Sequence, residues 1–137
     1  MDTLTPEQRS ERMSRVKAKG SAAEHQVRKT VHRLGYRFRL HGARLPGKPD
    51  LVFAGRRKVI FVHGCFWHRH PDPNCRLARL PKSRQDFWVS KLDRNRERDL
   101  RVEEELARLS WRSLVIWECQ LRDTAFVENT IRTFLDS

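Results

Sequence analysis

Between Val62 and Cys75 the sequence reads VHGCFWHRHPDPNC, placing two cysteines, three histidines and an adjacent Phe-Trp pair within fourteen residues. Thiolates and imidazoles at such spacing are ligands for a tetrahedral zinc ion. Cys65, His70 and Cys75 are evenly spaced, and Cys119 follows the last predicted strand. Together they make a Cys3His set, which closes a structural zinc site and leaves no open position. Spacing alone equally allows His68 in place of His70. The plain alternative is three unrelated buried cysteines, since free Cys is often buried. The intervening histidines favour metal, as does a loop rich in Pro and polar residues, whose few apolar groups would hold it poorly.

A second constellation joins Pro49-Asp50, opening one predicted strand, to Val62-His63, ending the next. Antiparallel pairing would set Asp50 and His63 at one edge of the sheet, with Glu24 of an early helix as a third member. A carboxylate there could hold Mg²⁺ against a phosphate, where the ion acts as a Lewis acid and activates water. Alone the signal is weak, because a strand-initial Asp is more often a turn residue. The third feature is aromatic. Apolar wedges between base steps open or bend DNA, and Phe66-Trp67, with Trp88 further on, are placed to do so. Core filling is the better reading for Phe87, Trp111 and Trp117, which fit periodic apolar faces. It is weaker for Phe66 and Trp67, because adjacent side chains of an extended segment point to opposite sides.

The elements that must position these groups are legible. Thr5-Pro6-Glu7-Gln8 reads as a helix start, for a helix running to about Val16 and ending before Gly20. Ser21-Ala22-Ala23-Glu24 is a second capping box. Ala23, Val27, Val31 and Leu34 then mark one apolar face, and Gly35 is a terminator. Period two follows, with Tyr36, Phe38 and Leu40 alternating with Arg37, Arg39 and His41. Asp50–Phe53 and Lys58–His63 read as strands joined by a turn at Gly55. Ser83 is placed to cap a long helix, in one or two parts, to about Leu109. A last strand, Trp111 to Trp117, and a helix around 125–135 complete the chain. Consecutive strands favour antiparallel pairing and strand–helix–strand a parallel crossover, so a mixed sheet is expected.

Composition narrows the partner. The 137 residues fit one domain, and Lys plus Arg number 29 against 17 Asp plus Glu, a net charge of +12. Arginines make up 22 of those cations, and residues 1–50 carry twelve cations against five acids. The flat guanidinium fork suits phosphate oxygens, so nucleic acid leads. No apolar run approaches the roughly 20 residues of a membrane span, and the polar N-terminus is no signal peptide. Three cysteines are too few for a secreted disulfide framework. A cytoplasmic, nucleoid-associated protein without a membrane partner is expected.

LPGKPDLVF, VIFVHGCFWHRH, FWVSKLDRNRERD and WRSLVIWEC, in that order, resemble the very short patch repair (Vsr) endonucleases. The resemblance runs from RMSRVKAKGS at residues 12–21 to Cys119, and HGCFWHxH with a downstream WEC is its most specific part. It implies an α/β, restriction-endonuclease-like core with a mixed central sheet, flanking helices and a structural zinc loop. It implies one domain over residues 1–137, with an N-terminal helix over 5–17 as a DNA-contacting arm. The implied activity is a Mg²⁺-dependent nick in one strand at T·G mismatches left by 5-methylcytosine deamination. The implied protein is a monomer acting on duplex DNA, with repair proteins as further partners.

By the same resemblance, Asp50 matches the metal-binding aspartate, His68 the histidine that works on the attacking water, and Asp99 an acid supporting it. Glu24 and His63 match groups that organise metal-bound water. The family often has a hydroxyl residue where this chain has Val62, but the metal contact there is a main-chain carbonyl. Cys65, His70, Cys75 and Cys119 match the zinc ligands, which selects His70 over His68. The loop between His70 and Cys75 is longer than is usual in the family. Phe66, Trp67 and Trp88 match the aromatic wedge, Met13 a residue entering from the other groove, and Lys91 and Asn95 residues near the mismatched pair. A mismatched step stacks poorly, so wedging it open costs less. Two alternatives share some of these features. A zinc-stabilised DNA-binding module without catalysis leaves Asp50, His68 and Asp99 without a role, and a nuclease of the same fold could act on other DNA structures.

Overall fold

The computed structural model describes residues 21–137, so the helix expected over Thr5–Val16 and Met13 lie outside the described residues. Helix α1 (Ala22–Arg33) begins where Ser21 Oγ accepts from the Glu24 N–H at 3.2 Å. It ends at Gly35, whose φ of 91° lets Tyr36 N–H reach back to Val31 O at 3.3 Å. Strand β1 (Arg39–Leu40) pairs antiparallel with β2 (Leu51–Phe53), and β2 pairs antiparallel with β3 (Lys58–His63). The long helix α2 (Gln85–Arg108) then carries the chain to β4 (Arg112–Trp117), parallel to β3, and α3 (Thr124–Leu135) follows. Strand order β1-β2-β3-β4 with one parallel pair is the expected mixed sheet.

Alternation along the strands divides the core. Leu51, Phe53, Ile60 and Ile116 face α1 and α3, meeting Val27, Val31, Val127 and Ile131. Val52, Val59 and Phe61 face the other way, toward Leu106 and Val102 of α2. The β1–β2 loop is held tight by Gly47, where a Cβ would come within 2.5 Å of Val102 Cγ1. At the opposite end of the sheet Lys58 is buried, and its ammonium donates to the carbonyls of Phe134 and Ser137, both at 2.7 Å. That caps the C-terminus of α3 and ties it to β3.

Three expectations need correction. The half-buried strand that the alternation over Tyr36–His41 suggests reduces to Arg39–Leu40, because β2 offers only three residues to pair with, and Leu40 is exposed. Tyr36 and Phe38 still pack on the core, Phe38 against Phe53 at 6.2 Å. Ser83 does not cap α2. Arg84 takes that position in a left-handed conformation (φ 55°) without a side-chain cap, and α2 runs unbroken for 24 residues. Phe87 is exposed rather than core, since it projects from the first turn of α2 beside Trp88.

Candidate active site

The C-terminal end of β3 is where the polar groups converge. Its alternation sends Val62 toward α1 and His63 toward α2, so each face of the sheet contributes a cluster. On the α1 side, the Asp50 carboxylate accepts from the Val62 N–H at 2.7 Å. Glu24, His41 and Asp50 place ligand atoms within 4.8 Å of one another. Glu24 is only 3% exposed, and Arg28, one turn later, pairs with it. His41 Nε2 lies 3.2 Å from both Glu24 Oε2 and Arg28 Nη2. Desolvation works to raise the Glu24 pKa. Hydrogen bonds with Asp50 and His41 and the charges of Arg28 and His41 outweigh it, and the net shift is downward. Two carboxylates held this close repel when ionised, and a divalent cation between them removes the repulsion. The donor set therefore fits a hard cation.

On the α2 side, His68 Nδ1 is 2.8 Å from Asp99 Oδ2, and the His63 ring stacks on His68 with centroids 3.7 Å apart and planes 5° apart. Burial, with the neighbouring His68 and Arg96 charges adding to it and Asp99 opposing, lowers the His63 pKa to about 3. His63 is therefore neutral at ordinary pH and adds no charge beside His68. With Nδ1 engaged by a carboxylate, the His68 proton sits there and Nε2 is left as a base. Asp50 thus groups with Glu24 and His41, while His63 groups with His68 and Asp99.

The third cluster lies next to the second. Cys65, His70, Cys75 and Cys119 bring their ligand atoms within 4.8 Å of one another, with Cys119 Sγ 3.5 Å from His70 Nδ1. Zn–S bonds of about 2.3 Å set tetrahedral ligand edges of about 3.5–3.8 Å, so the spacing fits zinc. Burial, together with the adjacent Cys119 and Cys75 thiols, pushes the Cys65 thiol up to about 12, and burial lowers His70. A buried thiol so reluctant to ionise would gain the missing countercharge from a bound metal. His68 is not part of this set, since its ring is engaged by His63 and Asp99.

Around the same loop, Phe66, Trp67, Phe87 and Trp88 form an aromatic cluster with centroids 5.0–6.2 Å apart. Lys91 Nζ lies over the Trp67 and Trp88 rings at 5.6 and 5.8 Å, and Asn95 Nδ2 donates to Trp67 O at 3.0 Å. The backbone here is not extended. It turns through His68 N–H to Gly64 O (3.1 Å) and His70 N–H to Cys65 O (2.9 Å). Trp67 can therefore point inward, and it is buried, while Phe66 and Trp88 are partly exposed. The exposed cations Arg76, Arg79, Lys82 and Arg84 follow Cys75 in the chain, and the Arg84 guanidinium lies over the Phe87 ring at 4.6 Å.

Sequence reasoning missed His41 and Arg28 as partners of Glu24. The Glu24–Arg28 pair was visible as an i,i+4 spacing. His41 was visible only as a polar member of the alternation, and pairing of its N–H with Asp50 O (3.0 Å) brings it in.

Residues 1–75 match the family model described as DNA mismatch endonuclease Vsr. Among curated relatives, the type II nicking enzyme V.XorIIP of Xanthomonas oryzae pv. oryzae is 50% identical, over 98% of this chain and 97% of the relative. The type II nicking enzyme V.NmeAIP of Neisseria meningitidis is 39% identical over 90% of this chain and 86% of its own length. The DNA mismatch endonuclease Vsr of Escherichia coli is 42% identical over 83% of this chain and 71% of that protein.

Proposed function

The chain belongs to the Vsr family of DNA mismatch endonucleases, with a restriction-endonuclease-like fold, and from that premise we propose that it nicks one strand of duplex DNA at T·G mismatches arising from 5-methylcytosine deamination. The observation that carries the reading is the His68–Asp99 pair, at 2.8 Å, on one face of the sheet and the Asp50–Glu24 carboxylates on the other, both at the C-terminal end of β3. A module that only bound DNA would have no use for either.

Asp50 and the main-chain carbonyl of Val62 would hold Mg²⁺, with Glu24 and His63 ordering water nearby. When bound, Mg²⁺ supplies Lewis-acid stabilisation of the phosphate and makes water more acidic. Asp99 holds His68 in the tautomer that leaves Nε2 free to take a proton from the attacking water. Neutral His63 packs the flat side of that ring and fixes its plane. Arg28 and His41 hold the Glu24 carboxylate in place. Cys65, His70, Cys75 and Cys119 would hold Zn²⁺, which would staple the loop that carries His68.

Phe66, Trp67 and Trp88 form the wedge that opens the mismatched step, with buried Trp67 as its root and Lys91 and Asn95 beside it. Met13, which lies outside the described residues, is assigned in this reading to contact with the DNA from the other groove. The basic chain follows the phosphates, so affinity falls with salt. The protein acts as a monomer in the cytoplasm, where repair proteins take up the nicked product. No helix of the described residues is long and apolar enough to cross a membrane. The test is strand-resolved nicking of T·G against T·A duplex by the wild type and by His68→Ala. Nicking confined to T·G and absent in the variant is expected, and equal cleavage of both duplexes would overturn the reading.

A further inference from the structure

Trp117 lies between the zinc-type cluster and the His63–His68 stack, touching His70 of the one and His63 of the other. It ends β4 beside His63 of β3, in register across the parallel pair. The His70 ring lies flat on the indole, with centroids 4.2 Å apart and planes 16° apart. The indole meets His63 edge-on at 5.2 Å and 76°. His63 in turn stacks on His68 at 3.7 Å, and His68 bonds Asp99. One unbroken run of ring contacts therefore joins a metal-type ligand to the proposed base. Two residues beyond Trp117 comes Cys119, whose N–H donates to Cys65 Sγ at 3.4 Å, so the same strand end also supplies a ligand. The Trp117 N–H donates to Gln120 Oε1 at 2.9 Å, fixing the backbone from which the indole projects.

We propose that Trp117 is a positioning residue for the nicking reaction, setting the plane of the His63–His68 stack against the His70 ring. The proposal rests on reading His68 as the proton acceptor and the Cys3His cluster as a zinc site. A flat indole between two imidazoles fixes the tilt of each, because stacked and edge-on contacts each restrict ring rotation. His63 has an unpartnered, buried Nδ1. No side-chain hydrogen bond at that atom fixes the ring, which leaves packing against Trp117, Phe61 and His68 to do so. His70 in this view does more than complete a ligand set: its ring is the face against which Trp117 and the catalytic side of the site are built.

The test uses full-length, zinc-loaded protein and four variants: Trp117→Leu, Trp117→Phe, His70→Cys and His68→Ala. Three quantities are read: single-turnover nicking of a T·G duplex with Mg²⁺, Kd for that duplex with a chelator of Mg²⁺, and zinc per chain with its rate of loss to a chelating dye. Misplacement of a reacting group by about an ångström costs up to about a hundredfold in rate. Trp117→Leu should therefore nick at least about tenfold slower at an unchanged Kd and lose zinc faster, and Trp117→Phe should recover most of both. His70→Cys offers a four-thiolate set that keeps zinc but removes the stacked ring. It should retain one zinc per chain and still nick several-fold slower. Wild-type nicking by zinc-loaded His70→Cys or by Trp117→Leu overturns the proposal. If Trp117→Leu does not fold, the His70→Cys result decides. His68→Ala separates the two readings: if it nicks normally, the assignment of the base is wrong, whereas an inactive His68→Ala beside normal Trp117 and His70 variants sinks the Trp117 proposal alone.

Discussion

His68 Nδ1 and Asp99 Oδ2 lie 2.8 Å apart although 31 residues separate them in the chain. Helix α2 delivers the carboxylate and the turn after Gly64 delivers the imidazole, so neither element alone makes the pair. Asp99→Asn keeps the shape but can stabilise the wrong tautomer. It should lower the nicking rate by about 10²- to 10⁴-fold with duplex affinity unchanged. Single-turnover nicking alongside equilibrium binding checks this, and a rate near wild type would remove Asp99 from the chemistry.

Trp67 and Phe66 should fail in opposite ways. Trp67 is 8% exposed and packed under Lys91 and Trp88, so Trp67→Ala should lose about 3 kcal/mol or more of stability. Phe66→Ala should melt closer to wild type and lose about 1–3 kcal/mol of affinity for the T·G duplex. Urea unfolding and competition binding against matched DNA give both numbers. An unchanged melting profile for Trp67→Ala would contradict its burial.

Much of this arrangement is legible in the sequence itself. The short run of apolar residues in Lys58–His63 and the capping box at Ser21 gave β3 and the start of α1, because both signals come from local chemistry. The crossover through α2 forced β4 parallel to β3, which brought Cys119 to Cys65. What escaped depends on tertiary packing. Arg84, rather than Ser83, takes the position before α2, in a left-handed conformation that no side-chain preference announces. The inward turn of Trp67 follows from hydrogen bonds that close the loop around Gly64–His70, where the sequence reads as an extended segment. His41 reaches Glu24 only through the β1–β2 pairing, across a loop whose closure rests on Gly47 packing against Val102.

Metal binding at the Cys3His cluster should be coupled to folding. Cys119→Ser and Cys65→Ser should each lower zinc content and melting temperature together, as read by elemental analysis and thermal unfolding. A folded, active, zinc-free protein would refute the site.

Acid should destabilise the fold through His63. Its folded pKa is about 3, below the roughly 6.5 of an unfolded chain. Between those values the unfolded state binds a proton that the folded state does not. The stability is therefore full above about pH 6.5 and is lost as pH falls toward 3, by up to about 1.4 kcal/mol per pH unit. His63→Gln should flatten that slope relative to wild type in urea titrations at pH 7, 6 and 5. Identical slopes would mean that His63 is not buried neutral.

The most direct measurement is strand nicking of a T·G duplex and its matched T·A counterpart, with Mg²⁺ and with chelator, by the wild type and Asp50→Ala. Asp50 sits where its carboxylate meets both Glu24 and the Val62 backbone. The expected result is a single nick in the mismatched duplex alone, abolished by chelator and by Asp50→Ala, with the variant still binding the mismatch. Near-normal cleavage by Asp50→Ala, or equal cleavage of both duplexes by the wild type, would contradict the account.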